Sequence, residues 1–279
     1  MQTGRASRTA LRVAMRRAAH QILDRPLILD DPVALPMLGP LFSLDRERET
    51  RPMGRAFRAF MAVRSRYAED QLAAAAAGGV TQYVVLGAGL DTFAWRNPFP
   101  QLRIFEMDFP ATQEWKRALL ADAGLALPDA LTFVPLDFER QTLAEGLAAA
   151  GFATSKPAFF AWLGVVPYLT LEAFRATIAT IAALPAGTAV SFDYAISPET
   201  LSPERRPGFQ ALSERVAAAG EPFRLFLAPE ELNAELSRSG FQRIEQLSST
   251  DLNRNYLDAR ADGLRLPEPA LFRLVTAWT

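Results

Sequence analysis

From residue 82 onward the sequence alternates short apolar runs with longer helical stretches, and this rhythm limits the folds open to the chain more than any other feature. The runs cover residues 82–86, 102–107, 131–136, 158–163, 188–194, 241–247 and 271–277. Between them, 111–123, 141–150, 171–184 and 229–239 carry helical patterns, with Pro128, Pro157, Pro185 and Pro229 at the joints. Runs of this length that are apolar on both faces are strands covered on both sides, and the helices between them are crossovers. The expected fold class is therefore α/β: a seven-stranded, mostly parallel sheet with helices on both faces.

Two regions fall outside the rhythm. Residues 1–77 precede the first strand and read as helical, with a break at Asp30-Asp31-Pro32. Residues 197–226 hold Pro198, Pro203, Pro207 and Pro222 and follow the fifth strand. Open α/β sheets bind ligands at the carboxyl ends of their strands. We therefore expect 1–77 to form an N-terminal helical cap over 78–279, with 197–226 as a lid insertion in one compact unit. The plainer alternative is that both merely extend the scaffold.

Composition removes several kinds of chemistry. Thirty Lys+Arg balance 31 Asp+Glu, so no basic excess points to nucleic acid. The absence of cysteine excludes disulfides, a thiolate nucleophile and cysteine-bound zinc. A single histidine, His20, rules out a multi-histidine metal site, and none is expected. No run is apolar and long enough to span a membrane. Five arginines before residue 18 superficially fit a transit peptide, but only Lys116 and Lys156 of the 30 basic residues are lysine, so arginine richness is general. A cytoplasmic protein is expected.

The chemistry concentrates where the strands end. Val84-Val85-Leu86 runs into Gly87-Ala88-Gly89, a turn whose glycines let a ligand approach the backbone. Thr92 stands where a dinucleotide fingerprint places its third glycine, which counts against a pyrophosphate there. The second strand ends in Glu106-Met107-Asp108, an acid about 20 residues past the first glycine, the spacing of a ribose-binding carboxylate. The third ends in Asp137-Phe138, suited to an adenine amino group and ring, although Asp137 is equally suited to cap the helix that follows. Gly-x-Gly, strand-end acid and Asp-Phe together describe an adenosine pocket.

These residues, with Ser7-Arg8-Thr9-Ala10, Asp31-Pro32-Val33-Ala34, Arg64-Ser65-Arg66-Tyr67-Ala68-Glu69-Asp70, Leu90-Asp91-Thr92, Phe109-Pro110 and Tyr168-Leu169, resemble the bacterial S-adenosylmethionine-dependent methyltransferases of the leucine carboxyl methyltransferase superfamily. The resemblance runs over nearly the whole chain and implies a Rossmann-like fold that binds S-adenosyl-L-methionine and releases S-adenosyl-L-homocysteine. It implies Arg64 on the cofactor carboxylate and Gly87, Ala88 and Gly89 beside the methionine part. It further implies Asp108 on the ribose, flanked by Glu106 and Met107, with Asp137 and Phe138 at the adenine. The family often has Glu where this chain has Leu163, so one cofactor contact, to the ammonium group, is lost or moved.

Methyl transfer needs donor and acceptor held in line, water excluded and a deprotonated nucleophile. A carboxylate is ionised at neutral pH, whereas a phenol near pKa ~10 needs a base. The chain is poor in bases, so the expected reaction is O-methylation of a small-molecule carboxylate, with a phenol of a secondary metabolite as the other acceptor. His20 is the candidate base and Tyr168 the candidate to orient the acceptor oxygen, although each also reads as an ordinary scaffold residue. Two other readings stay open: an NAD(P)-binding oxidoreductase, and a non-catalytic S-adenosylmethionine-binding protein.

Overall fold

The computed structural model describes residues 8–279 except 138–140, 202, 205 and 219–221. The N-terminal region folds as α1 (Arg8–Leu23), α2 (Ala34–Leu38), α3 (Arg46–Thr50) and α4 (Pro52–Ala77). At 1.5 Å per residue, the 26 residues of α4 span roughly 39 Å, enough to cross the whole sheet. Pro52 starts it where a missing N–H costs nothing.

The sheet then builds in chain order as β1 (Gln82–Leu86), β2 (Arg103–Asp108), α5 (Pro110–Asp122), β3 (Leu131–Pro135), α6 (Leu143–Ala149), β4 (Phe159–Trp162), α7 (Leu171–Ala182) and β5 (Ala189–Ile196). The remainder is α8 (Arg206–Ala218), β6 (Phe226–Leu227), α9 (Pro229–Ser239), β7 (Arg243–Leu247), α10 (Ser249–Tyr256) and β8 (Phe272–Trp278). All seven expected strands form within a residue or two of the apolar runs. An eighth, β6, is a two-residue pairing with β5 at Ala195 and Ile196, too short to leave a pattern in the sequence.

The strand order is β3-β2-β1-β4-β5-β8-β7, with β6 alongside β5. The first five strands are parallel, and β8 is antiparallel to both β5 and β7. The chain leaves β1 toward β2 on one side and returns to β4 on the other, so the topological switch point lies between β1 and β4. Ligands bind in such a crevice.

Alternate residues of each strand feed the two faces. Val84, Phe105, Phe160 and Phe192 pack against Phe174 and Ile178 of α7 and Leu232 of α9. Tyr83, Val85, Ile104 and Phe159 face the other way, toward Leu72 of α4. Helix α1 and α2 form a further apolar cluster with Leu120 of α5. Every residue of β1 and β4 is buried, as a sheet covered on both faces demands. No helix among the described residues is long and apolar enough to cross a membrane.

Candidate active site

A cavity of about 540 Å³ opens at the switch point, over the carboxyl ends of β1, β2 and β4. Its floor is the Gly87-Ala88-Gly89 turn. The N–H groups of Gly87 and Ala88 both donate to the carbonyl of Met107, at 2.8 and 3.0 Å, which pins the turn against β2. Gly87 has φ +66°, and a Cβ there would lie 2.4 Å from a methyl of Val165. Only glycine lets the turn sit this close to the segment after β4.

Asp108 forms the wall at the end of β2. Its carboxylate accepts from the N–H of Gly89 at 2.5 Å and of Phe109 at 2.6 Å. Burial raises this carboxyl, although both N–H donors favour its ionised form. An ionised carboxylate has about four acceptor positions, so acceptor capacity remains for a pair of hydroxyls in the cavity.

Arg64 closes the opposite side. It is buried on α4 and its Nη1 donates to Asp193 on β5 at 3.2 Å. Asp193 also accepts from the N–H of Gly164 at 2.5 Å. Gly164 has φ +71°, and a Cβ there would press on both terminal nitrogens of Arg64 at 2.9 Å. The missing side chain thus makes room for the guanidinium, and Asp193 holds it in place.

The N-terminal region completes the enclosure. Thr9, Ala10 and Arg17 of α1 line the cavity, as do Pro222 and Arg224 from the stretch after α8. Thr92, in the third-glycine position, has a different task. Its hydroxyl donates to Asp31 at 2.7 Å and accepts from Arg17 at 2.6 Å. Arg17 also pairs with Asp91 at 3.3 Å. Burial alone would raise the Asp91 carboxyl, but Arg17, Lys116 and the N–H of Phe93 outweigh it and hold it low. These residues fasten α1 to the glycine turn.

The structure thus brings Arg64, Gly87, Ala88, Gly89, Asp108, Leu163 and Tyr168 into one cavity. Other expected residues lie elsewhere. Glu106 points into the interior and pairs with the buried Lys116. Its carboxyl is pushed up to about 7 by burial, which Lys116 only partly offsets. It does not line the cavity, although it shares a strand face with Asp108, because the buried Lys116 draws its carboxylate inward. Met107 contributes its backbone carbonyl only, and its side chain is core. Asp137 does not line the cavity, and the cap of α6 is Thr142. Phe138 lies outside the described residues.

His20 is corrected most sharply. It is fully buried, with Nδ1 2.8 Å from Asp24 and Nε2 accepting from the N–H groups of Ile28 and Leu29 at 3.0 and 3.3 Å. With both ring nitrogens engaged and no face on the cavity, it fixes the loop after α1. Sequence reasoning also missed Arg17, Asp193 and Arg224. A charged residue inside the otherwise uncharged run 188–194 was a usable signal for Asp193.

Strand order, switch-point cavity, glycine turn and strand-end carboxylate define a Rossmann-like nucleoside site of the methyltransferase type. The same architecture appears in a Thermobifida fusca YX crystal structure assigned to the methyltransferases, with a TM-score of 0.58 and 18% identity over 88% of this chain and 92% of that one. A DUF574 family protein from Streptomyces avermitilis MA-4680 gives 0.54 and 17%, over 84% and 87%. A model of the leucine carboxyl methyltransferase family matches residues 10–182. YktD of Bacillus subtilis (strain 168), named as an S-adenosyl-L-methionine-dependent methyltransferase, is 32% identical over 95% of both chains. A similarly named protein of Saccharopolyspora erythraea is 37% identical over 62% of this chain and 61% of its own. The chain belongs to the leucine carboxyl methyltransferase family, and it is an S-adenosylmethionine-dependent methyltransferase.

The cavity fits that cofactor on its own chemistry. It offers a cation for the amino-acid carboxylate (Arg64), a glycine turn that a ligand can approach, and a carboxylate for the ribose (Asp108).

Proposed function

We propose that the protein O-methylates a small-molecule carboxylate, yielding an ester and S-adenosylhomocysteine. The observation that carries this reading is the lack of a base: among the described residues the cavity is lined by no histidine, lysine, cysteine or glutamate. Its two carboxylates are engaged, Asp91 by Arg17 and Asp108 by the glycine turn. Tyr83 is held as a neutral phenol, because burial raises it well above its ordinary value and Asp91 and Glu69 add to the effect. An acceptor that arrives ionised asks nothing of such a site.

When bound, S-adenosylmethionine supplies a methyl group on a positively charged sulfur. The chain's own residues bind, orient and exclude water. Arg64 fixes the amino-acid end of the cofactor and Asp108 its ribose, and the glycine turn sets its depth. Arg224, exposed and without a carboxylate partner among the described residues, offers a cation where the acceptor enters. Tyr168, at the end of the segment after β4, lines the cavity, which supports its part in orienting the acceptor oxygen. Helix α1, the middle of α4 and residues 222–224 act as the cap. We place the reaction in the cytoplasm, with metabolites of secondary pathways as the acceptors.

A panel of carboxylic acids and phenols, with ester or ether detected by mass, tests this. Carboxylates should turn over at a rate that stays flat from about pH 6 to 9, above their pKa of ~4. Turnover confined to phenols, rising toward their pKa, would overturn it.

A further inference from the structure

A second cavity of about 140 Å³ lies beside the first, lined by Phe57, Phe60, Leu201, Phe209, Leu271 and Phe272 among other apolar residues. None of its lining residues is charged or carries a hydroxyl. The two cavities are neighbours along α4. Phe60 lines the smaller and Arg64 the larger, one turn and about 6 Å apart along the axis. The Arg64 guanidinium carbon lies 6.0 Å from the centre of the Phe60 ring.

The ring of Phe223 touches the walls of both. Phe223 lies 5.3 Å from Tyr168, in the wall of the larger cavity, and 5.9 Å from Phe272, in the wall of the smaller. Its sequence neighbours Pro222 and Arg224 both line the larger cavity. Its described ring contacts, to Tyr168, Phe226 and Phe272, are all aromatic, so a swing of the ring about its side-chain bonds exchanges one apolar surface for another.

We propose that the acceptor is an amphipathic carboxylic acid whose apolar tail passes Phe223 and fills the smaller cavity, a reading that rests on the proposed carboxylate methylation. The charge layout supports it. The cations Arg64 and Arg224 stand on the cofactor side, and the space beyond Phe223 offers an anion nothing. At about 30 Å³ per group, the volume holds on the order of four or five methylenes, so the cavity sorts acceptors by tail length and excludes polar tails.

Titration calorimetry on the full chain saturated with S-adenosylhomocysteine tests this, using butanoate, octanoate and dodecanoate as probes. Affinity should rise roughly fourfold per methylene while the smaller cavity fills, then level off. Leu271→Trp and, from the α4 side, Ala56→Phe should each weaken dodecanoate by about tenfold or more. Both should leave butanoate and S-adenosylhomocysteine within about twofold. Flat affinity along the series in a protein that binds S-adenosylhomocysteine overturns the tail pocket alone, as does equal loss for all three acids in both variants. Failure to bind S-adenosylhomocysteine overturns the cofactor reading and the tail pocket with it.

Discussion

Replacing Arg64 with methionine removes one of the cavity's cations, leaving Arg17 and Arg224, and keeps much of its apolar stem. Arg64 spends one described hydrogen bond, 3.2 Å long, on Asp193. A guanidinium has five N–H donors, so most of its capacity is left for a carboxylate in the cavity. A hydrogen bond to a charged group contributes about 1.5–3 kcal/mol, or roughly 10- to 150-fold in affinity. The assay compares S-adenosylhomocysteine with 5′-methylthioadenosine, the same nucleoside without the amino-acid part. Arg64→Met should weaken the first by that factor and leave the second within about twofold. The change also strips a partner from the buried Asp193, leaving it the N–H of Gly164. A stability loss of about 1–3 kcal/mol should follow, and Asp193→Asn in the same chain should recover part of it. Parallel weakening of both ligands would mean that Arg64 only shapes the fold. An unchanged affinity for S-adenosylhomocysteine would mean that its carboxylate binds elsewhere.

Three further outcomes follow from the geometry. Asp108→Ala should weaken S-adenosylhomocysteine and 5′-methylthioadenosine alike, by ~1–3 kcal/mol in calorimetry, because both carry the ribose. His20→Ala orphans the N–H groups of Ile28 and Leu29 and should cost ~1–3 kcal/mol in denaturant unfolding. Methyl transfer per folded molecule should stay near wild type, and a hundredfold loss in a stable variant would restore His20 as a base. Asp24 supplies an acid limb. Burial alone would raise its carboxyl, but Arg58 and His20 outweigh burial and hold it at about 2. The unfolded group titrates near ~4. Its contribution is therefore complete above ~4 and is lost as pH falls through about 2. Unfolding free energies measured from pH 5 to 2 should show this decline, and Asp24→Asn should flatten it.

The fold was legible because the central parallel strands β1, β4 and β5 are buried on both faces and so leave continuous apolar runs. Strand β6 was not, since two residues of pairing carry no period. Gly87, Gly89 and Asp108 were readable because a sharp turn after a strand and an acid at the next strand's end are local facts. Arg64 was reached only through resemblance, since nothing in its own neighbourhood reveals that Gly164, a hundred residues on, leaves room for its guanidinium. Glu106 and Asp108 are two apart and equally acidic. Which of them faces the cavity depended on Lys116, folded inward from α5 to take Glu106. His20 misled because a lone histidine in a chain short of bases draws the eye, while its partners, Asp24 and two backbone N–H groups, have no signature. Thr92 shows the reverse: a departure from the dinucleotide pattern that became a fastening point for Asp31 and Arg17.

Cofactor binding in this protein depends on the carboxylate at the end of β2 holding a sugar. A crystal structure of the protein with S-adenosylhomocysteine examines this directly. Both ribose hydroxyls should lie within hydrogen-bond distance of the Asp108 carboxylate, with the amino-acid carboxylate on Arg64. A ribose held by other residues, with Asp108 facing only its own backbone donors, would contradict it.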